Sequence, residues 1–264
     1  MLTLLAAVSA EFVRSIIKGK IAMLRNKILT AAVAGAIALP GAVMAQEAAS
    51  PHVVTGNFTL TTDYAFRGVS QTSEDAAVQG GFDYSNSPTG LYAGIWGSNV
   101  SFAPGSIELD YYAGWAKTWG DWGANLGVLH YDYPNNSLLN TDEVYAAGTW
   151  KWLTLKYSHV ISDRVFGVLD GKGSGYAELN FAYTLPEDFT LSAHYGMTML
   201  DGEASPGTPN SDFDYDDYKI GVSKALGGFN LGLAYVGTTS LGSGFASKPD
   251  AYDDRVIFSV GKTF

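Results

Sequence analysis

Along most of the chain, apolar and polar residues alternate one by one. Phe58, Leu60, Thr62, Tyr64 and Phe66 interleave with Asn57, Thr59, Thr61, Asp63 and Arg67. Phe189, Leu191, Ala193, Tyr195 and Met197 interleave with Thr190, Ser192, His194, Gly196 and Thr198. A period of two places one set of side chains on each face of a β-strand. No stretch beyond residue 45 repeats at the 3.6 residues of a helix. The pattern predicts strands near 57–67, 76–85, 91–101, 107–118, 122–131, 143–151, 153–163, 176–185, 189–199, 215–224, 229–239 and 254–264. In the third, Leu91 and Ile95 compete with Tyr92 and Trp96 for the outer face.

The connections alternate in length. Residues 86–90, 120–121, 151–152, 185–188 and 226–228 are short, and all but the Lys-Trp pair 151–152 carry Pro, Gly, Asn or Asp, the residues of tight turns. The intervening connections, 68–75, 102–106, 132–142, 164–175, 200–214 and 240–253, are longer and more polar. Short turns at one end and long loops at the other describe an all-β, transmembrane antiparallel β-barrel of about twelve strands, spanning 57–264. Strand lengths agree, since a tilted strand crosses an outer membrane in roughly 9–11 residues. Aromatic residues gather at predicted strand ends (Tyr64 and Phe66; Trp115, Trp119 and Trp122; Trp150 and Trp152; Phe189; Phe229), as interfacial girdles require. A soluble β-sandwich would bury its apolar face and has no use for such girdles.

The N-terminus reads differently. Met23-Leu-Arg-Asn-Lys27 precedes an apolar run from Ile28 to Leu39, and small residues stand at Val43 and Ala45. This is the layout of a secretory signal peptide cleaved between Ala45 and Gln46. Residues 1–45 are therefore set apart as upstream extension and signal peptide, and 46–56 as a periplasmic lead-in to the barrel. The net charge of −10 becomes more negative without that basic segment, which makes nucleic acid an unsuitable partner. The absence of Cys removes thiolate metal sites and cysteine nucleophiles.

The segment Val54-Thr-Gly-Asn-Phe-Thr-Leu-Thr-Thr-Asp-Tyr-Ala-Phe-Arg-Gly-Val-Ser-Gln71 resembles the opening strand of the TorF-like porins of proteobacteria, most specifically in its Tyr-Ala-Phe-Arg-Gly-Val-Ser-Gln portion. Asp253 to Phe264 is similar to that family's last strand. The resemblance covers 52–264 and implies a bacterial outer-membrane barrel with a porin role; it supplies no catalytic residue and no cofactor.

If the apolar series meets lipid, then Asp63, Arg67, Asp83, Glu108, Asp110, Glu143, Lys156, Glu178, His194, Asp217, Lys219 and Arg255 face the lumen. The opposite assignment would cost about 2–4 kcal/mol for each Lys or Arg at mid-membrane. Glycines at inward positions, among them Gly81, Gly94, Gly114, Gly127 and Gly196, suggest unfilled space and a narrow pore rather than a plugged barrel. The expected function is passive diffusion of small hydrophilic solutes, with seven inward acids against four bases giving a weak cation preference. A non-conducting structural or adhesin-like barrel and an outer-membrane hydrolase centred on His194 are the rival readings. No Gly-x-Ser-x-Gly or His-Glu-x-x-His motif occurs, and acidic loops lack calcium-loop spacing, so no metal site is assigned. Val256, Phe258, Val260 and the terminal Phe264 resemble the C-terminal signal read by the barrel-assembly machinery. The remaining expected partners are outer-membrane lipids and lipopolysaccharide.

Overall fold

The computed structural model describes residues 50–102 and 107–264. The signal segment and its cleavage site at Ala45 and Gln46 lie outside the described residues. Twelve strands close into one antiparallel barrel: β1 (His52–Thr61), β2 (Ala77–Asn86), β3 (Leu91–Asn99), β4 (Ile107–Trp119), β5 (Trp122–Asp132), β6 (Thr141–Trp150), β7 (Leu153–Val160), β8 (Gly175–Thr184), β9 (Phe189–Met199), β10 (Tyr215–Leu226), β11 (Phe229–Thr239) and β12 (Arg255–Thr263). Each strand pairs with its neighbours in sequence, and β1 pairs with β12 over Asn57↔Thr263 to Thr61↔Ser259. Gly56 and Phe264 extend that seam by exchanging two backbone hydrogen bonds of 2.8 and 2.9 Å. Closure leaves no unpaired strand edge, a condition for a sheet in hydrocarbon.

The turns follow from their residues. Gly227 and Gly228, between β10 and β11, both take positive φ (61° and 81°), the type I′ geometry that suits the twist of a hairpin. His52 at the start of β1 and Phe264 share the side of these short turns, which is the periplasmic side; the long loops are extracellular. The alternation sorts the faces as expected. Phe58, Leu60, Val78, Phe82, Leu126, Val128, Leu155, Leu179, Ile220, Leu233, Val256 and Phe258 are exposed on the outside. Tyr92 is buried inside and Leu91 exposed, which decides the orientation of β3. An apolar outer wall around a polar interior makes this chain a bacterial outer-membrane β-barrel.

The first strand departs from the expected boundaries. It begins at His52, and it ends at Thr61 instead of running to Arg67. Tyr64 and Phe66 are not girdle residues. Tyr64 is 4% exposed and Phe66 packs against the same buried cluster, because the chain turns inward after Thr61.

Candidate functional site

The turn inward builds a small hairpin inside the extracellular end of the barrel. Ala65–Phe66 and Val69–Ser70 pair antiparallel, with Arg67 and Gly68 at the tip. Both tip residues have positive φ (47° and 78°), again the type I′ form. Glycine at the second position is also a matter of space, because a Cβ there would lie 2.6 Å from Cβ of Asp217 and 2.8 Å from Cγ2 of Thr238.

The hairpin reaches across the lumen from β1. Its tip Arg67 donates Nη2 to both oxygens of Glu143 on β6, at 2.7 and 2.8 Å. The guanidinium also stacks 4.2 Å from the ring centre of Tyr176 on β8 and 4.8 Å from that of Phe66. Such a cation, desolvated between rings and a carboxylate, is held by charge and by quadrupole together. Phe66 meets Tyr131 of β5 and Phe166 of the fourth long loop edge to face. Behind the tip, Tyr64 donates to Glu108 Oε1 on β4 at 2.8 Å, and Tyr133 donates to the other oxygen at 2.7 Å. At the base, Asp63 accepts from Ser70 (2.7 Å), Thr72 (2.8 Å) and Arg255 of β12 (3.1 Å). One short segment thus touches strands on every side of the mouth.

Below the hairpin the interior divides into two walls. On β3–β6, tyrosine rings lie across the glycines of the neighbouring strand: Tyr112 over Gly94, the Tyr92 hydroxyl at Gly114 and the Tyr145 hydroxyl at Gly127. Tyr176 covers Gly196 in the same manner on β8 and β9. These glycines are seats for rings, as glycine in a strand often is where another group approaches closely; the space expected of them is taken. Tyr92 and Tyr145 share a short hydrogen bond, Tyr112 donates to Asp83, and Asn57 reaches Asp83 at 3.2 Å. The opposite wall, on β9–β12 and β1, carries small inward residues. Thr59, Ser192, Gly232, Ala234, Ser259 and Gly261 remain half-buried, with small neighbours of the same wall against the glycines, Ser259 Oγ at Gly232 and Thr59 Oγ1 at Gly261.

All twelve candidate charged and imidazole side chains point into the interior, though Asp63 and Arg67 do so from the first loop and not from a strand. The structure brings most of them into pairs. Besides Arg67–Glu143 and Arg255–Asp63, Lys156 meets Glu178 at 3.1 Å. His194 places Nε2 2.9 Å from Asp217 and 3.0 Å from the Tyr176 hydroxyl, with Nδ1 2.7 Å from Asn180 Oδ1. Lys219 lies one strand over, in register with His194. Asp110 is 1% exposed and its Oδ1 has no hydrogen-bond partner. The hydrolase reading needs a nucleophile at the His194 ring, but Ser192 turns away to donate to the Gly221 carbonyl at 3.3 Å. Among the described residues no three His, Asp or Glu side chains converge as a metal site needs.

Sequence reasoning identified the inward charges and missed that Tyr64-Ala-Phe-Arg-Gly-Val-Ser-Gln71 is the lumenal hairpin. The signal was present: Arg67-Gly68 stands between Ala65-Phe66 and Val69-Ser70 as the two residues of a tight turn do.

Among solved structures, the KdgM porin is similar with a TM-score of 0.53 at 9% identity, over 80% of this chain and 99% of that one. The NanC porin gives 0.48 at 10% identity, over 80% and 98%. At 9% identity the likeness to the KdgM porin concerns the fold alone, a porin-like barrel. No curated protein matches the sequence. Residues 45–264 match the bacterial family described as "Bacterial protein of unknown function (Gcw_chp)", and the chain belongs to that family.

Proposed function

We propose that the protein is an outer-membrane porin for small hydrophilic solutes, whose conductance is set by the lumenal hairpin. The observation that carries this reading is the Arg67–Glu143 contact, because it pins the hairpin tip to the far wall of a barrel whose lower half keeps an open polar wall. Solutes pass when the tip leaves Glu143, along the small-residue wall of β9–β12 and β1. The twelve inward residues from Asp63 to Arg255 then line the path, His194, Asp217, Lys219 and Arg255 from that wall and the other eight from the hairpin segment and the facing strands. Among the described residues, ion pairing leaves Asp83, Glu108 and Asp110 without a lysine or arginine partner, which supports a weak cation preference that salt screens. The motif around Arg67 supports kinship with TorF-like porins at a finer level than the family assignment. Export through the segment ending at Ala45, removal before Gln46 and insertion by the barrel-assembly machinery, with lipopolysaccharide around the loops, complete the reading; N-terminal sequencing that found residue 23 or earlier in mature protein would contradict the first two.

Planar-bilayer recording of refolded protein tests the function. Wild type is expected to conduct in brief openings, Arg67→Ala to stay open longer, and a KCl gradient to give reversal potentials of mild cation selectivity. Silence from wild type, from Arg67→Ala and from a hairpin deletion would establish the non-conducting structural barrel, which the filled mouth favours, in its place.

A further inference from the structure

The charges on the lipid-facing side of the barrel separate by sign. Among the described residues, the outward strand positions with basic side chains are Lys117 on β4, Lys224 on β10 and Lys262 on β12, all at the periplasmic end. Lys151 joins them from the turn between β6 and β7. The outward acids on or next to the strands are Asp132 on β5, Asp142 on β6, Asp216 on β10 and Asp254 just ahead of β12, all at the extracellular end, while the periplasmic turns carry the exposed Asp121, Glu187 and Asp188.

The two sets are held differently. Each aspartate has a donor from a neighbouring strand or loop: Asn140 at 2.8 Å for Asp132, His130 at 2.7 Å for Asp142, Tyr195 at 2.7 Å for Asp216, and Tyr235 at 3.0 Å for Asp254. Lys248 also donates to Asp254 at 3.0 Å and holds its carboxyl below the usual range. Three of the four lysines rest on rings. Lys224 Nζ lies 4.1 Å from the centre of Phe189, Lys262 5.3 Å from Phe229, and Lys151 5.1 and 5.6 Å from Trp150 and Trp152. The nearest carboxylate to Lys151, Asp121, stands at 3.8 Å in an exposed turn. A ring at the membrane boundary fixes the lysine stem along the wall and presents the ammonium at headgroup depth.

We propose that Lys117, Lys151, Lys224 and Lys262 form a docking girdle for anionic glycerophospholipid headgroups of the periplasmic leaflet. The chemistry selects this occupant: ammonium groups at phosphate depth, three of them on aromatic supports, at the end of the barrel opposite the acidic rim. Lipopolysaccharide phosphate faces that acidic rim instead and is the poorer fit for the lysines.

Five of the six tryptophans (Trp115, Trp119, Trp122, Trp150 and Trp152) belong to the same periplasmic band, while Trp96 is on the inward face. Tryptophan quenching by brominated lipids therefore reads lipid occupancy at the girdle. The mature full-length protein is reconstituted in mixed vesicles carrying brominated phosphatidylglycerol or brominated phosphatidylcholine of matched chains. Wild type is expected to prefer the anionic lipid by about fivefold at low salt, with the preference shrinking as ionic strength rises. Lys117→Gln/Lys224→Gln/Lys262→Gln should bring the ratio near one, and Asp142→Asn/Asp216→Asn should leave it unchanged. Folding is checked by heat-modified gel migration; should the triple variant not insert, the single variants Lys224→Gln and Lys262→Gln must each lower the ratio. No preference in wild type, or the full preference in the lysine variants, would overturn the proposal.

Discussion

The mouth and the vestibule of this barrel are built from one wall and differ in what fills them. At the extracellular end, Thr61, Ser98, Glu108, Asp110, Thr141, Glu143, Thr198, Asp217 and Arg255 are all buried, and the segment from the first loop lies against Glu108, Glu143, Asp217 and Arg255 among them. Toward the periplasm, the wall fills itself on one side only, with Tyr92, Tyr112 and Tyr145 over glycines, and stays small and half-exposed on the other. An eight-stranded barrel is wide enough only for its own side chains, and a sixteen-stranded one holds a channel. Twelve strands lie between, and here an inserted segment, not wall side chains, decides which half is closed.

Removing the insert is the most direct way to break that comparison. Replacing residues 64–71 by a short Gly-Ser linker is expected to convert brief openings into a sustained conducting state in planar bilayers, the largest change of any variant considered. If the excised barrel conducts no better than wild type, the obstruction lies in the vestibule and the two halves are not different in kind. Glu143→Ala comes next. Removing one partner of a buried ion pair costs about 3–5 kcal/mol, because the other charge stays desolvated; Arg67 and Glu143 side chains are 9% and 1% exposed. Tyr64 and Asp63 still hold the base to Glu108 and Arg255, so the cost is limited to that of swinging the Arg67 tip into water. Urea unfolding from vesicles should show a loss at or below that range, with Arg67→Ala/Glu143→Ala recovering part of it. A loss carried fully by the double variant would mean that the pair is not coupled.

Gly68→Ala attacks the same element through the backbone. A side chain at φ +78° costs about 1–2 kcal/mol, and the added Cβ meets Asp217 and Thr238 as well. The hairpin should be displaced without any change in interior charge, so open time should rise while ion selectivity holds. Selectivity that changed along with open time would show that Arg67 filters ions at the mouth in addition to holding the hairpin.

How much of this was readable in one sequence differs between the two halves as well. The strands, the short-turn side and the direction of Glu108, Glu143, Lys156, Glu178 and Asp217 follow from a period of two, which local sterics impose. The hairpin was hidden because Tyr64, Phe66 and Arg67 continue the alternation of β1 without a break, and a girdle aromatic and a buried aromatic look alike in sequence. The covered glycines were hidden for another reason. Gly114 meets Tyr92, and Gly127 meets Tyr145, only through the register of adjacent strands, Tyr92↔Gly114 and Gly127↔Tyr145, and register is a long-range property that composition does not carry. Pairing of opposite charges, such as Lys156 with Glu178, was hidden in the same way.

The seam between β1 and β12 connects the two halves, since the same strand that closes the barrel continues into the hairpin. Phe264 exchanges two backbone hydrogen bonds with Gly56 and lays its ring over that glycine, with ring carbon Cε2 2.6 Å from where a Cβ would stand. Val256, Phe258 and Phe264 face lipid on the same strand, and Val260 lies between them in the outward series. Two net hydrogen bonds are worth about 1–3 kcal/mol, a modest loss for a finished barrel. Deletion of Phe264 should therefore leave the unfolding midpoint of refolded protein only slightly lower, yet reduce the outer-membrane yield in cells strongly if the terminal aromatic is also what the assembly machinery reads. Equal, small effects in both measurements would make Phe264 an interfacial anchor only.

Tyr145→Phe gives the smallest expected effect and the sharpest control. It removes the hydroxyl bonded to Tyr92 while keeping the ring near Gly127, and Tyr92 retains its 2.7 Å bond to Asn125 Oδ1. Loss of one such bond with the partner still satisfied costs about 1 kcal/mol or less. Because the ring stack stays in place and the hairpin is untouched, neither open time nor selectivity should move. A clear gain in conductance from this single hydroxyl would place the narrowest point of the path in the tyrosine wall, beneath the hairpin, and would reverse the assignment of the closed half.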